Sequence, residues 1–217
     1  MSNTDSFIDE VNEEFRNDKL YAFMRRWAWL GVLIILGIVA AVVASEYLGN
    51  QKEAEAAATG DALTEAFEAE TPPERAAALA AVADTKPNAT FIAELARAGE
   101  LASVGQTEDA IAALDAAIAS APQTPVFLDM VALKKVLLPG NILSGDERVA
   151  ILAPASQAGR PYRLFALEQL AYAQLAAGDE DGAVSSFETV AQAAEVSQDM
   201  RARANQMILV LGGDAAE

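Results

Sequence analysis

The strongest hydrophobic feature of the chain is an uncharged run from Trp27 to Ala44. It consists almost entirely of Leu, Ile, Val, Ala and Gly, and it lacks the polar face of a helix that packs on a soluble core. At about 1.5 Å per residue, a helix of this length approaches the thickness of the hydrocarbon core of a bilayer. The pattern therefore predicts a transmembrane helix over residues 27–45, in contact with lipid.

The basic residues that flank this span are distributed unequally. Four lie shortly before it: Arg16, Lys19, Arg25 and Arg26. Only Lys52 lies within a comparable distance after it. Because short flanks rich in Lys and Arg stay in the cytoplasm, we expect a cytoplasmic N-terminus and an exported C-terminal domain.

A cleaved signal peptide is the competing interpretation of the same run. Small residues precede Ser45, where a signal peptidase would cut. The segment before the run is long and rich in acids, however, and the run itself is longer than that of a usual signal peptide. These features favour an uncleaved anchor.

Residues 1–26 form a charged segment before the span. Apolar residues recur there at spacings of three to five, with acids between them, beginning with Phe7, Ile8, Val11 and Phe15. This pattern predicts a short amphipathic cytoplasmic helix over residues 6–23. Contact with the membrane surface, docking on a partner and a solvated lead-in helix all fit the pattern.

After the span, stretches with apolar residues at helical spacing alternate with breaks made of Pro, Gly and Asn. Residues 46–88 are predicted to form a helical linker and the first helices, over 46–70 and 73–83. Residues 89–217 are predicted to form the main domain, with helices over 90–104, 107–120, a stretch ending at 138, a stretch beginning after 144, then 162–177, 180–195 and 197–211. Thr90 and Ser144 are predicted N-caps, the latter in a capping box with Glu147. Since no segment alternates as a strand does, the expected fold class is all-α.

Two segments of this domain share one pattern of small and large residues, 73 positions apart. They are Gly105-x4-Ala110-x3-Leu114-x2-Ala117 and Gly178-x4-Ala183-x3-Phe187-x2-Val190. In each, a glycine at an interhelix turn is followed by a small alanine, which permits close approach, and by a large apolar residue, which fills the space beside it. The pattern resembles the second helix of a tetratricopeptide repeat, whose period is about 34 residues.

The first helices of the two units agree less well. In the second unit three residues match the repeat: Leu167, Leu170 and Ala171. In the first unit Glu94 and Arg97 depart from it, and the middle unit, residues 124–156, is degenerate. The resemblance implies a tetratricopeptide-like helical-hairpin solenoid over residues 89–217, in which the first helices line a concave groove.

The composition excludes several kinds of site. Because the chain has no Cys and no His, thiol nucleophiles, His-based triads and the usual zinc sites are absent. A formal net charge of -17 disfavours nucleic acid as a partner, since phosphate binding requires a positive surface. Chemistry would fall to carboxylates alone, and no paired site is visible among them. We therefore expect no catalysis and no cofactor, and instead a protein that binds other proteins.

The overall layout resembles one bacterial family. A charged N-terminal helix, one span and an exported repeat domain are combined with Arg160-Pro161-Tyr162-Arg163-x2-Ala166-x-Glu168 and Arg201-Ala202-Arg203-Ala204. Together these features are similar to the ancillary subunit of the Sec translocon, an inner-membrane protein, in its alphaproteobacterial form. The resemblance implies a periplasmic domain that binds translocon subunits, periplasmic chaperones or exported clients. The alternative is a structural subunit or assembly factor of another inner-membrane complex, in cell-wall synthesis or respiration.

The geometry of such repeats, carried over to this sequence, gives seven candidate protein-binding residues on first helices. They are Ile92, Leu95, Ala102, Phe165, Glu168, Tyr172 and Leu175. A further candidate is a basic cluster made of Arg160, Arg163, Arg201 and Arg203. Pairing of these arginines with acids of the same chain, such as Glu168, is the expected alternative to partner binding.

Overall fold

The computed structural model describes residues 4–140 and 142–213, except for the side chains of residues 4–25, 27, 28, 31 and 32. All regular secondary structure in these residues is helical, so the predicted all-α class is confirmed for this part of the chain. The helices are α1 (Thr4–Glu68), α2 (Pro72–Thr85), α3 (Thr90–Ser103), α4 (Thr107–Ser120), α5 (Pro125–Val136), α6 (Gly145–Leu152), α7 (Arg163–Ala177), α8 (Glu180–Gln192) and α9 (Gln198–Val210).

Helix α1 contains the predicted span. Its stretch Leu33–Glu68 includes a segment long and apolar enough to cross a membrane, with a mean hydropathy of 1.8 and no buried residue. Within the described residues, it is the one helix with this property. The helix predicted over residues 6–23 also lies within α1, although its side chains, and with them its predicted apolar face, fall outside the described part.

The chain divides into two units, Met1–Ala58 and Thr59–Glu217. In the second unit, most helices pack against the helices next to them in the sequence. The last turns of α1 begin this series, because Ala62, Leu63 and Ala66 share a core cluster with α2 and the start of α3. The domain is therefore a succession of neighbouring helical hairpins.

The two repeated segments occupy equivalent places in these hairpins. Gly105 and Gly178 both have left-handed backbone, with φ of 78° and 84°, which glycine adopts without steric cost. The six apolar residues that follow them in the pattern have no exposed surface: Ala110, Leu114, Ala117, Ala183, Phe187 and Val190. The hairpins α3–α4 and α7–α8 thus bury the same three positions after the same kind of turn.

Side-chain caps mark several helix starts. Ser144 Oγ accepts a hydrogen bond from the backbone N–H of Glu147, and the Glu147 carboxylate accepts one from the N–H of Ser144, so the predicted capping box is confirmed. These hydrogen bonds lower the pKa of Glu147. A second capping box, between Thr71 and Glu74, begins α2 after the break at residues 69–71.

The predicted N-cap at Thr90 is wrong. The N-cap of α3 is Ala89, which makes no side-chain cap, and Thr90 is already helical. The Thr90 hydroxyl donates instead to the carbonyl of Ala83, at 3.0 Å. Because the turn at residues 86–89 folds α3 back onto the end of α2, this hydroxyl satisfies a carbonyl in the last turn of the preceding helix.

The helix predicted over residues 180–195 is shorter than expected, since α8 ends at Gln192. Arg201 of α9 donates to the carbonyls of Ala191 and Ala193, at 3.0 and 3.2 Å. A cationic side chain placed on the last carbonyls of a helix stabilises that end. The end of α8 is therefore set by a residue of the next helix.

Candidate protein-binding surface

Phe165 and Tyr172 are the exposed aromatic residues of α7. Phe165 is 57% exposed and Tyr172 is 37% exposed. The Tyr172 ring meets the buried Phe187 ring edge to face, with centroids 5.2 Å apart and 77° between the ring planes. Burial raises the pKa of Tyr172, and the neighbouring Glu168 carboxylate raises it further. Tyr172 is thus anchored on the core while part of its surface stays accessible.

Glu168, by contrast, is only 4% exposed. Its carboxylate accepts two hydrogen bonds from the guanidinium of Arg203 in α9, at 2.9 and 3.1 Å. The hydrogen bond to Glu168 is the chief reason that the pKa of Arg203 is raised. Two parallel bonds of this kind fix orientation as well as distance. Glu168 therefore joins α7 to α9 and is not a free carboxylate at the surface.

The four arginines of the predicted basic cluster are all engaged within the chain. Arg160 binds the carboxylate of Asp129 through Nε, at 3.1 and 3.0 Å, and also through Nη2. Asp129 lies on α5 and is 1% exposed. Arg163 lies 3.8 Å from Glu195, and Arg201 binds carbonyls at the end of α8. The alternative prediction, pairing with acids of the same chain, is therefore confirmed for three of the four arginines, whereas Arg201 binds backbone carbonyls instead.

Ile92, Leu95 and Ala102 lie along α3 with unequal exposure. Ile92 is 54% exposed. Leu95 and Ala102 are half-buried and pack against the core that α3 shares with α4, and Leu175 packs in the same way against the core of α7, α8 and α9. The α3 and α7 members of the predicted set thus belong to separate clusters, and exposure is concentrated in the aromatic and isoleucine members.

Ala102 also lines a cavity that the sequence pattern did not predict. The cavity has a volume of about 250 Å³ and lies between α3 and the C-terminal end of α5. Its walls are mainly apolar and include Ala98, Gly99, Ala102, Leu114 and Leu137. Lys134 is the one charged residue among those that line it.

Toward its N-terminal end, α3 faces α5 with the same side that lines the cavity. Phe91 of α3 and Phe127 of α5 meet edge to face, with ring centroids 5.2 Å apart. Because residues three, four, seven and eight apart share a helix face, the cavity and this ring pair belong to one surface. We call it the α3–α5 groove: Phe91, Ile92, Leu95, Gly99 and Ala102 on α3, and Val126, Phe127, Met130, Lys134 and Leu137 at α5.

The contribution of α5 was missed because the middle unit lacks the repeat pattern. A signal was nevertheless present in the sequence, since Val126, Met130 and Lys134 are spaced by four and Leu137 follows at the next turn. That spacing places them on one helix face, on which Val126, Lys134 and Leu137 are exposed. The periodicity of α5 therefore indicated a second exposed face even without the glycine-alanine pattern.

Among the side chains that the structure describes, no group of three or more acids is arranged to hold a metal ion. No family model, curated protein or solved structure matches the chain. The membrane-length helix and the surface of the helical domain are thus the features from which a function is inferred.

Proposed function

We propose that this chain is a membrane-anchored adaptor of the bacterial envelope whose exported helical domain binds other proteins. The observation that carries the proposal is the combination of a helix fit to cross a membrane with exposed apolar and aromatic side chains on α3, α5 and α7. Clusters of such side chains on a rigid core are typical of protein-binding surfaces. The acidic charge of the chain disfavours nucleic acid as the partner.

A repeat architecture supports this role. Helices pack in sequence order, and the hairpins α3–α4 and α7–α8 bury equivalent residues after equivalent glycines. In an array of the tetratricopeptide kind, each repeat contacts its neighbours and the first helices line one extended surface. In this proposal α3, α5, α7 and α9 are the first helices, and Ile92, Phe165 and Tyr172 belong to one binding face.

The adaptor works at the outer face of the inner membrane. The bias of basic residues toward the N-terminal side of the span supports a cytoplasmic N-terminus and a periplasmic domain. The resemblance in layout to the ancillary subunit of the Sec translocon supports an association with the translocon and with periplasmic chaperones. In that setting the exposed residues of α3, α5 and α7 contact these proteins or the clients that they deliver.

In-cell photo-crosslinking tests the binding role. A photoreactive amino acid is placed at Phe165 or at Ile92, because both side chains are exposed, and at Ala116, which is exposed on α4, as the matched control. We expect translocon subunits, periplasmic chaperones or exported proteins to be captured at the first two positions and not at the third. Capture of one envelope enzyme in fixed stoichiometry would instead identify a structural subunit. Equal capture at Ala116, or no capture, would contradict the proposed face.

A fusion of alkaline phosphatase after Gly213 tests the topology. This enzyme needs disulfides, which form outside the cytoplasm, so the fusion should be active if the domain is exported. The fusion protein should also keep its N-terminal anchor during growth. An inactive fusion would reverse the orientation, and a mature N-terminus at Ser45 would show that the span is a cleaved signal peptide.

A further inference from the structure

The α3–α5 groove holds a basic group, Lys134, that pairs with no acid in the part of the domain that the structure describes. In the described part of the domain, the arginines and Lys135 bind carboxylates or carbonyls of the same chain. Lys86 and Lys134 are the two basic residues there whose side chains have no such acceptor. Of these two, Lys134 lies at the apolar cavity.

An unpaired lysine is unexpected in this chain, because 32 acids compete for 15 Lys and Arg. None of the residues that line the cavity is acidic. Lys134 is exposed, and a carboxylate that binds it beside the apolar wall of the cavity would be partly shielded from water, which strengthens its attraction to the ammonium group. Lys134 and the cavity together therefore fit an occupant that has an apolar group next to a negatively charged one.

We propose that the α3–α5 groove binds a segment of a partner protein that places a large apolar side chain in the cavity and a neighbouring Asp or Glu carboxylate on Lys134. A volume of about 250 Å³ corresponds to roughly eight water molecules, which suits a Leu, Met or Phe side chain. This inference rests on the proposed adaptor function and names the class of segment that the adaptor recognises.

The groove continues beyond the cavity, which favours an internal segment over a chain end. Toward the Phe91–Phe127 ring pair, Ile92 is 54% exposed and Val126 is 43% exposed. These residues give a passing segment a second apolar contact, about two to three helical turns from Lys134. The carboxylate on Lys134 is therefore that of an acidic side chain within the segment.

Selection from a displayed library of random peptides of about 12 residues, on the full-length protein in detergent micelles, tests this chemistry. We expect the enriched peptides to carry Leu, Met or Phe within two positions of Asp or Glu. Replacing that acid by its amide in a synthetic copy should weaken binding about tenfold or more. Enrichment of peptides without an acid, or no enrichment, would overturn the proposal.

Two charge variants locate the carboxylate. Lys134→Glu should weaken binding of the selected peptide at least about tenfold, because the exchange places like charges together. Lys86→Glu makes the same change in net charge at the other unpaired lysine, which lies outside the groove, and should bind like the unaltered protein. Equal binding by Lys134→Glu, or an equal loss in Lys86→Glu, would show that Lys134 does not receive the carboxylate.

A steric variant tests the cavity without changing charge. A Cβ added at the helical residue Gly99 would meet no heavy atom within 4 Å, so Gly99→Leu should fold with an unchanged or higher melting temperature while its side chain fills the cavity. Binding of the selected peptide should then be lost. Gly60→Leu is the matched control, since it is also helical and open but lies in α1. Full binding by a folded Gly99→Leu protein would overturn the assignment of the cavity.

Different results would contradict the adaptor function and the groove chemistry. If peptides bind as expected but crosslinking in cells captures nothing at Ile92 or at Phe165, the adaptor function is wrong and the groove chemistry stands. If crosslinking succeeds at Ile92 but Lys134→Glu binds peptides like the unaltered protein, the adaptor function stands and the groove chemistry is wrong.

Discussion

The hairpins α3–α4 and α7–α8 share one buried pattern and differ in the size of the side chains at equivalent positions. Shifted by 73 positions, Gly99 corresponds to Tyr172, Ala102 to Leu175 and Leu114 to Phe187. In the first hairpin these smaller residues border the 250 Å³ cavity. In the second, the Tyr172 ring packs against Phe187. One backbone plan thus supports an open pocket in one hairpin and a filled aromatic surface in the other.

The first helices also differ on their inner side. Glu94 is 7% exposed and pairs with Arg97 of the same helix, at 3.1 Å. The equivalent Leu167 is 8% exposed and belongs to the apolar core around Phe187. A nearly buried position therefore accepts a carboxylate when the same helix supplies its partner. The two hairpins therefore share the residue pattern of their second helices, whereas the residues on their first helices differ.

Truncation of the central large residues should have the largest effect. Phe187→Ala is expected to lower the free energy of unfolding by about 3–5 kcal/mol, because its ring is fully buried. Leu114→Ala should cost less, about 2–3 kcal/mol, since Leu114 already borders a cavity and loses fewer contacts. Urea unfolding of the full-length protein in micelles, followed by circular dichroism, measures both. A larger loss at Leu114 would contradict the contrast between the hairpins.

Enlarging the small residue of each pattern should have a smaller and similar effect in both hairpins. Ala183→Leu and Ala110→Leu are each expected to destabilise by about 1–3 kcal/mol, because both alanines are fully buried between two helices. Ala116→Leu is the control, since Ala116 is exposed on α4. An unchanged unfolding midpoint for Ala183→Leu would show that the two hairpins are not in the same register.

Alanine at the turn glycines should cost still less. Gly178→Ala and Gly105→Ala are each expected to destabilise by about 1 kcal/mol, because a Cβ is unfavourable at φ of 84° and 78°. Gly99→Ala provides a contrast of opposite sign, because it removes a helical glycine in open space and should stabilise by up to about 1 kcal/mol. The same unfolding measurement compares all three, and stabilisation by Gly178→Ala would contradict the turn geometry.

The smallest expected effect is on the titration of Tyr172. The equivalent residue of the first hairpin is Gly99, so only the second hairpin has a phenol at this position. Burial raises the pKa of Tyr172 above its ordinary value of 10.0, so the folded state holds this proton more tightly. Its contribution to stability is complete below pH 10 and is lost as the pH rises through the raised pKa. Absorbance of the phenolate, compared with Tyr172→Phe, should show ionisation above pH 10. Ionisation at or below that value would contradict the packing of this ring.

The helices could be predicted because most of their ends are set by nearby residues. The turn at Gly105 and the Ser144–Glu147 capping box depend on side chains within a few positions, and both occur as expected. Thr90 was misassigned because its hydroxyl bonds to Ala83, a residue of the previous helix that only folding brings close. The early end of α8 has the same origin, since its carbonyls bind a side chain of α9.

The candidate surface was predicted only in part because exposure is a property of the assembled helices. Glu168 fits a groove position by spacing, but Arg203, 35 residues later, takes its carboxylate. Gly99 has the sequence character of a weak helix residue, and only the packing of α3 beside α5 shows that it opens a cavity. The role of Gly145 also depends on the assembled helices. An added Cβ there would overlap the backbone of Ala176 and Ala177 where α6 crosses α7.

The Asp129–Arg160 pair constrains the order in which this sequence can change over evolutionary time. Loss of Arg160 would leave a carboxylate that is 1% exposed without a counter-ion, at a cost of about 3–5 kcal/mol. Loss of Asp129 is milder, because the Arg160 side chain is 24% exposed and can turn toward water. Replacement of both by apolar residues is nearly neutral. Lineages that have lost the pair are therefore expected to have passed through an intermediate that kept the arginine and had already exchanged the acid.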